Sequence, residues 1–319
     1  MTDPNLPTER VRPNPILKGI LACPLCRELL VWEDTQCRCR ACSRVYAIVS
    51  GTPDLLPPDS VRSLRHATAT SENSRLRAML AQRPWLRRLI EVVRPPLPYD
   101  RHGRWEGQRV FDQALPSTPG AAPILLDLGS GKGSDHQLRG LREQTRERVL
   151  RTDIHPGGHA DFLADAHFIP MCDGTVDGVI LQGVVEHVAR PWEIAAEIVR
   201  VLKPGGVVYC DAPFVQWYHE DPKDYYRFTE DGLKELFRGC ECVQSGVAIG
   251  PVGATIGIGR ELLPILFTSP FLYWPLKWLI AWMTAPFVLL DRFYRKRPRA
   301  KTIALGVYVV VRKPDVVPS

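Results

Sequence analysis

Short apolar runs separated by polar stretches mark the middle of the chain. PILLDLG, ending at Gly129, reads as a buried strand, and Arg148 to Asp153 and Val176 to Leu181 read the same way. A different spacing precedes them: Leu76, Met79, Leu80, Leu86, Leu89, Ile90 and Val93 recur at roughly helical intervals, interrupted at Pro84. That stretch predicts two helices packed on a sheet with their arginines in solvent, or else a surface that faces an anionic substrate or a membrane. A third pattern, from Leu262 to Leu290, is apolar and aromatic and carries Trp274, Trp278 and Trp282. At 319 residues and 45% hydrophobic, the chain can bury a full α/β core and still carry a smaller module.

The chemistry begins where the first strand stops. LDLGSGKG, Leu126 to Gly133, has glycine at every second position, so its turn can adopt positive φ and bring bare backbone against a ligand. A dinucleotide fingerprint needs glycine at position 134, where Ser134 stands. Asp127 would also repel a pyrophosphate, and it suits a cationic amino-acid moiety better. Asp153 ends the second strand, about 20 residues beyond the glycines, where a carboxylate reaches ribose hydroxyls. Asp165 follows, ahead of Ile169 and Pro170.

LDLGSGKG, TDIHP, LADAHFIP and LQGVVEHV follow one another in an order and spacing that resembles the class I S-adenosylmethionine-dependent methyltransferases, and KPGG at Lys203 to Gly206 matches the turn before their fifth strand. The resemblance covers roughly residues 121 to 250 and resumes at 302 to 313. It implies a Rossmann-like seven-stranded methyltransferase sheet and S-adenosyl-L-methionine as cofactor. It places Asp127, Gly129, Gly131, Gly133 and Asp153 on that cofactor, Asp165 and Ala166 at the adenine, and Gln182 at the methionine part. Glu186 and His187 fall where the family lines the reacting end, though His187 also reads as a structural histidine. Asp177 reads equally well as a turn or cap. Beyond the fifth strand, DAPFVQWYHEDPKDYYRFTEDGL crowds aromatic, acidic and histidine side chains. The candidate catalytic residues are His187, His219 and Asp224, with Tyr225 and Arg227 beside them. The Asp-Tyr-Tyr-Arg-Phe-Thr run resembles a branch found among enzymes of glycan and cell-envelope biosynthesis.

Nine cysteines without an evident secretion signal point to thiolate chemistry in a reducing, cytoplasmic setting. Cys23, Cys26, Cys39 and Cys42 form two CxxC knuckles separated by twelve residues, a set suited to tetrahedral zinc. Cys37 completes no such pair. ILACPLCRELL and CRCRACSRVYAIVSGTPDLLP resemble the zinc-ribbon family that includes the activator subunit of tRNA and translation-factor methyltransferases. With four thiolates around it, the zinc is expected to be structural, and its removal to unfold the ribbon first. The expected organisation is a disordered N-terminus (1–17), a zinc-ribbon (18–58), a helical linker (59–116) and a methyltransferase domain (117–319).

The last two strands, near Cys242 to Ile249 and Ile303 to Val311, are separated by an apolar helical insertion at 251–301 where the family has a tight hairpin. Lys277 and several prolines break it into pieces shorter than the roughly 20 residues that span a bilayer, and the chain must return to the same sheet. Arg292, Arg295, Lys296, Arg297, Arg299 and Lys301 follow the apolar run from Leu262 to Leu290. An apolar, tryptophan-bearing stretch beside a basic cluster suits an interfacial contact through 262–301 on the inner face of a membrane; a lid over the site or a dimer surface is the alternative. The modest net charge of +6 gives weak support for nucleic acid. Three functions remain open: methylation of a small-molecule or lipid-linked glycan acceptor, methylation of ribosomal or transfer RNA aided by the ribbon, and non-catalytic binding.

Overall fold

The computed structural model describes residues 16–58, 60, 93, 95, 99–116, 122–131, 135–156, 159–219, 223–266 and 270–315. The helices expected between Ser71 and Arg94, and Gly133 of the glycine turn, lie outside the described residues. So does nearly all of the N-terminal tail expected at 1–17, although Leu17 is buried at the start of a short helix, α1 (Leu17–Ile20).

Four antiparallel strands follow α1, in the order β1 (Leu30–Trp32), β2 (Gln36–Cys39), β3 (Val45–Val49) and β4 (Thr52–Pro53). Helix α2 (His102–Ala114) leads into a seven-stranded sheet. Its strands are β5 (Leu125–Leu128), β6 (Val149–Asp153), β7 (Phe162–Leu163), β8 (Val176–Gln182), β9 (Leu202–Pro213), β10 (Glu241–Ile249) and β11 (Gly306–Arg312). Across the sheet the order is β10-β11-β9-β8-β5-β6-β7. Strands β5 to β9 run parallel, and β11 is antiparallel to both of its neighbours. That is the seven-stranded sheet the family resemblance implied, with its strand order reversing between β5 and β8, the position at which such folds collect ligands.

Central strands of a parallel sheet are buried on both faces, so they read as continuous apolar runs. Leu125, Leu126, Val179, Ile180 and Val208 are accordingly inaccessible. Among the described residues, α2 packs on β9, β10 and β11, and α3 (Glu143–Arg146), α4 (Pro191–Val201) and α5 (Glu230–Leu236) follow it in the chain. Pro191 starts α4 at a position where its missing N–H costs nothing, and Ile194, Ala195, Ile198 and Val201 form the buried stripe. Thr229 caps α5, its hydroxyl accepting from the Gly232 N–H at 3.0 Å. Asp177 is structural: its carboxylate accepts from the Ile124 N–H at 2.8 Å and from Lys203 Nζ at 2.9 Å, which ties the base of β8 to its neighbours.

The ribbon and the sheet share one hydrophobic core. Leu17, Leu21, Leu30, Cys37, Tyr46 and Leu55 pack in the same cluster as Leu126, Leu128, Phe162, Ile169 and Met171. Backbone joins them too, with Leu55 N–H donating to Leu163 O at 3.0 Å and Ala22 N–H to Pro170 O at 2.8 Å.

The insertion is helical. Helices α6 (Pro251–Ile265) and α7 (Pro270–Thr284) form a hairpin, and a 3-10 turn (Ala285–Leu290) leads to α8 (Asp291–Tyr294). Lys277, which divides the apolar run in the sequence, bonds Glu261 across the hairpin at 2.8 Å. The buried Asp291 closes the loop by accepting from the N–H groups of Val252 and Gly253 at 2.8 and 2.7 Å, where α6 starts. No helix among the described residues is long and apolar enough to cross a membrane.

Candidate active site

The turn after β5 has the conformation its glycines permit. Gly129 and Gly131 have φ of +73° and +57°, and a Cβ on Gly129 would stand 2.6 Å from Val184 Cγ2, so only glycine lets this turn pass the turn that follows β8. Asp153 grips the same loop from β6: one oxygen accepts the Gly131 N–H and the other the His155 N–H, both at 2.8 Å. Its carboxylate is thereby fixed beside the glycine backbone, with lone pairs left for hydroxyls.

Asp127 is buried in β5, in register with Arg151. Burial raises its carboxyl to about 7; Arg151 pulls against that shift and Asp153 adds to it. Asp165 sits at the head of a 3-10 turn (Ala166–Phe168), where one oxygen accepts from Ser60 Oγ at 2.5 Å and the other from the His167 N–H at 2.9 Å, with His167 Nδ1 2.7 Å away. An adenine amine would therefore share Asp165 with two protein partners. Gln182, at the tip of β8, bonds through its Oε1 to Gln108 of α2 at 2.8 Å, and Gln108 in turn accepts from the Gly140 N–H.

A second group of side chains gathers beyond β8 and β9. Glu186 and His187 lie in a 3-10 turn (Val185–His187), and His219 approaches from the segment after β9. The imidazole rings of His187 and His219 are 4.9 Å apart and nearly perpendicular, and each Nε2 is 3.9 Å from Glu186 Oε1. Glu186 is 3 % exposed, and its Oε2 is shut from solvent without a hydrogen-bond partner. Burial, reinforced by the charge of Asp211, pushes its carboxyl up to about 8 against the pull of its own N–H, Arg104 and Arg227. Burial also lowers His219, and His187 lowers it further.

Asp224 does not face this group as an open acid. Arg227 holds it in a fork at 2.5 and 2.7 Å, and it accepts the His219 N–H at 2.8 Å. Burial alone would raise it, but these bonds hold it at about 2, so it anchors the His219 loop as a carboxylate. The Tyr225 N–H donates to Glu186 O at 2.7 Å and the Tyr226 hydroxyl to Ala189 O at 3.0 Å. The Asp-Tyr-Tyr-Arg run thus fastens the His219 segment onto the Glu-His turn. Sequence reasoning did not find Arg104 and Asp211, which pair at 2.8 Å beside Glu186, nor Ser60 and Gln108. No local pattern marks them, because each partner lies far away along the chain.

Cys23, Cys26, Cys39 and Cys42 converge, their sulfurs all lying within 4.8 Å of one another. Sulfurs at about 2.3 Å from a tetrahedral zinc stand roughly 3.8 Å apart, so the cluster fits that ion with little adjustment. The Tyr46 hydroxyl lies 3.1 Å from Cys23 Sγ, an outer contact of the kind that steadies a ligating thiolate. Cys37 is elsewhere in the core, and burial raises its thiol to about 11.

A sheet with this strand order, and a glycine turn gripped by a carboxylate from the next strand, form a site able to take a nucleotide-like cofactor. The family described as "Methyltransferase domain" matches residues 126–210, the stretch that holds β5 to β8 and most of β9. An uncharacterised methyltransferase of Mycobacterium leprae is 38% identical over 104 residues, 29% of this chain and 39% of that protein. One from Mycobacterium ulcerans is 33% identical over 96 residues, 27% of this chain and 38% of its own length. The match thus spans about two fifths of these relatives. Among solved structures, the Haloferax volcanii complex of the Trm112 methyltransferase activator with a methyltransferase has a chain 22% identical, covering 66% of this chain and 90% of its own, at a TM-score of 0.41. The Burkholderia thailandensis 1,6-didemethyltoxoflavin-N1-methyltransferase is 15% identical, covering 90% and 99%, at a TM-score of 0.42.

Proposed function

We propose that this chain is an S-adenosylmethionine-dependent methyltransferase that methylates an oxygen of an amphipathic, lipid-linked or small-molecule acceptor at the inner face of a membrane. The observation that carries the cofactor is the Gly129–Gly131 backbone turn with Asp153 locked onto it. Bound there, the cofactor supplies a methyl group on a positively charged sulfur that is already activated for in-line displacement. Asp153 accepts the ribose hydroxyls, Asp127 offers negative charge to the cationic end, and Gln182 lines the path to the second group of residues. What remains for the protein is mainly alignment, worth about 7 to 11 kcal/mol when geometry is well held.

The amphipathic acceptor rests on continuity between two surfaces. Gly257 of α6 packs so closely on Trp217, two residues before His219, that a Cβ would sit 1.9 Å from its ring. The same insertion exposes Leu262, Leu266, Trp274, Trp282 and Phe293, beside the exposed Arg292, Lys296, Arg297 and Arg299. Large apolar side chains left exposed in this way suit an interaction surface, and the basic residues beside them in the chain complement anionic headgroups. The convergence of the four ribbon cysteines supports a structural zinc.

Calorimetry of the zinc-loaded chain with adenosylhomocysteine tests the cofactor, and Asp153→Ala should weaken binding at least tenfold. Absence of heat at millimolar ligand refutes the reading. Mass spectrometry of lipid and RNA extracts from cells with and without the gene then assigns the acceptor; a methyl lost only from RNA replaces the lipid reading with the nucleic-acid one.

A further inference from the structure

We propose that Glu186, His187 and His219 form a binding site for a divalent transition-metal ion at the acceptor end of the cofactor groove. Their three donor atoms lie within 4.8 Å of one another, and both imidazole Nε2 atoms flank the same Glu186 oxygen at 3.9 Å. Two imidazoles and one carboxylate are the donor set of open metal centres, which bind through one face and leave other positions to ligand.

Each donor is prepared for the role. His187 donates from Nδ1 to the Lys223 carbonyl at 2.6 Å, which leaves Nε2 unprotonated and facing inward when the ring is neutral. His219 has its Nδ1 turned toward Asp224 Oδ2 at 3.5 Å and the Trp217 carbonyl at 3.3 Å, which likewise leaves Nε2 inward. Metal-ligating histidines carry this kind of carbonyl or carboxylate partner on the far nitrogen. The independent observation is Glu186 itself: 3 % exposed, its Oε2 makes no hydrogen bond to protein. Such an oxygen is costly to bury unless something else satisfies it.

The surrounding charges leave room for a cation. Asp211 is held by Arg104 at 2.8 Å and Asp224 by Arg227 at 2.5 Å, so those two acids and two bases neutralise one another. Glu186 is the acid of this group that no base holds by a hydrogen bond. Donors bound to an ion at about 2.1 Å stand roughly 3 Å apart, so the two 3.9 Å nitrogen–oxygen separations must each contract by about 1 Å, within reach of side-chain rotation. The ligand class this site selects is a hydroxyl with a second oxygen beside it, able to chelate through the open positions, because coordination acidifies the hydroxyl. The inference deepens the methyltransferase reading in that respect, but ion binding itself can be measured without cofactor or acceptor.

The probe is Co2+ added to the intact, zinc-loaded chain, followed by its visible absorption. Any exchange into the four-cysteine cluster betrays itself by an intense thiolate band. One saturable site is expected without that band, weakened at least tenfold in both His219→Ala and Glu186→Gln, with melting curves confirming that each variant is folded. His219 lies on a partly exposed segment, so its truncation keeps the test usable if Glu186→Gln is poorly folded. No site below 1 mM Co2+ in the folded wild type, or a site of unchanged affinity in His219→Ala, overturns the proposal. Calorimetry with adenosylhomocysteine on the same samples separates the two claims: retained cofactor binding without Co2+ binding removes the ion and leaves the methyltransferase, while the reverse result does the opposite.

Discussion

Asp127 is the residue at which stability and the proposed cofactor binding pull in opposite directions. Its carboxyl, raised by burial to about 7 against an ordinary value near 3.9, holds its proton more tightly in the folded chain than in the unfolded one. The stability this provides is complete below the unfolded value and disappears as pH rises through 7. An ionised Asp127 is nonetheless what a cationic cofactor attracts. Asp127→Asn should therefore raise the melting temperature at pH 8 by a few degrees while weakening cofactor binding. In the wild type, affinity should climb about tenfold between pH 6 and pH 8, following the ionised fraction. An affinity independent of pH across that window would mean that Asp127 does not feel the cofactor's charge. Asp153 and the glycines were visible in the sequence because turn, strand end and acid lie close together along the chain. Ser60, Gln108 and Arg104 were not, since each meets its partner only after folding.

At the scale of elements, the ribbon behaves as a buttress of the sheet. Leu55 and Leu163 are hydrogen-bonded, Leu21 pairs with Met171, and Ser60 reaches Asp165. The sequence supports the expectation that metal removal unfolds a small module first. The shared core argues instead that the loss spreads, because the ribbon's apolar residues cover one face of the sheet beside Asp165. Stripping the metal should lower the melting temperature of the whole chain by about 10 °C or more in a single transition, given the size of structural zinc binding energies. Adenosylhomocysteine binding should weaken with it. Two separate calorimetric transitions, the upper one unmoved, would show that the ribbon is an independent unit. The Asp-Tyr-Tyr-Arg run is another element whose role emerged only in three dimensions: it clips the His219 segment to the Glu186 turn.

Across the whole molecule, the insertion exposes large apolar side chains and touches the His219 segment through Gly257 and Trp217. Leu266 and Phe293 are each 73% exposed. Replacing both with glutamate should leave the fold and adenosylhomocysteine binding intact and reduce flotation with anionic vesicles by at least half. Equal recovery of variant and wild type in the top fraction would assign these side chains to something other than a membrane.

The sequence by itself determined the α/β class, the glycine turn with Asp127 and Asp153 beside it, the four-cysteine cluster and the apolar insertion. Each of these is written in short-range periodicity or spacing, where neighbours along the chain remain neighbours in space. Only the tertiary structure decided that ribbon and sheet share a core, that Asp224 is an anchor held by Arg227, and that His187 and His219 meet at one oxygen of Glu186 while its other oxygen has no hydrogen-bond partner. Those facts depend on where the strands' carboxyl ends bring distant loops together, and no local pattern in the chain encodes them.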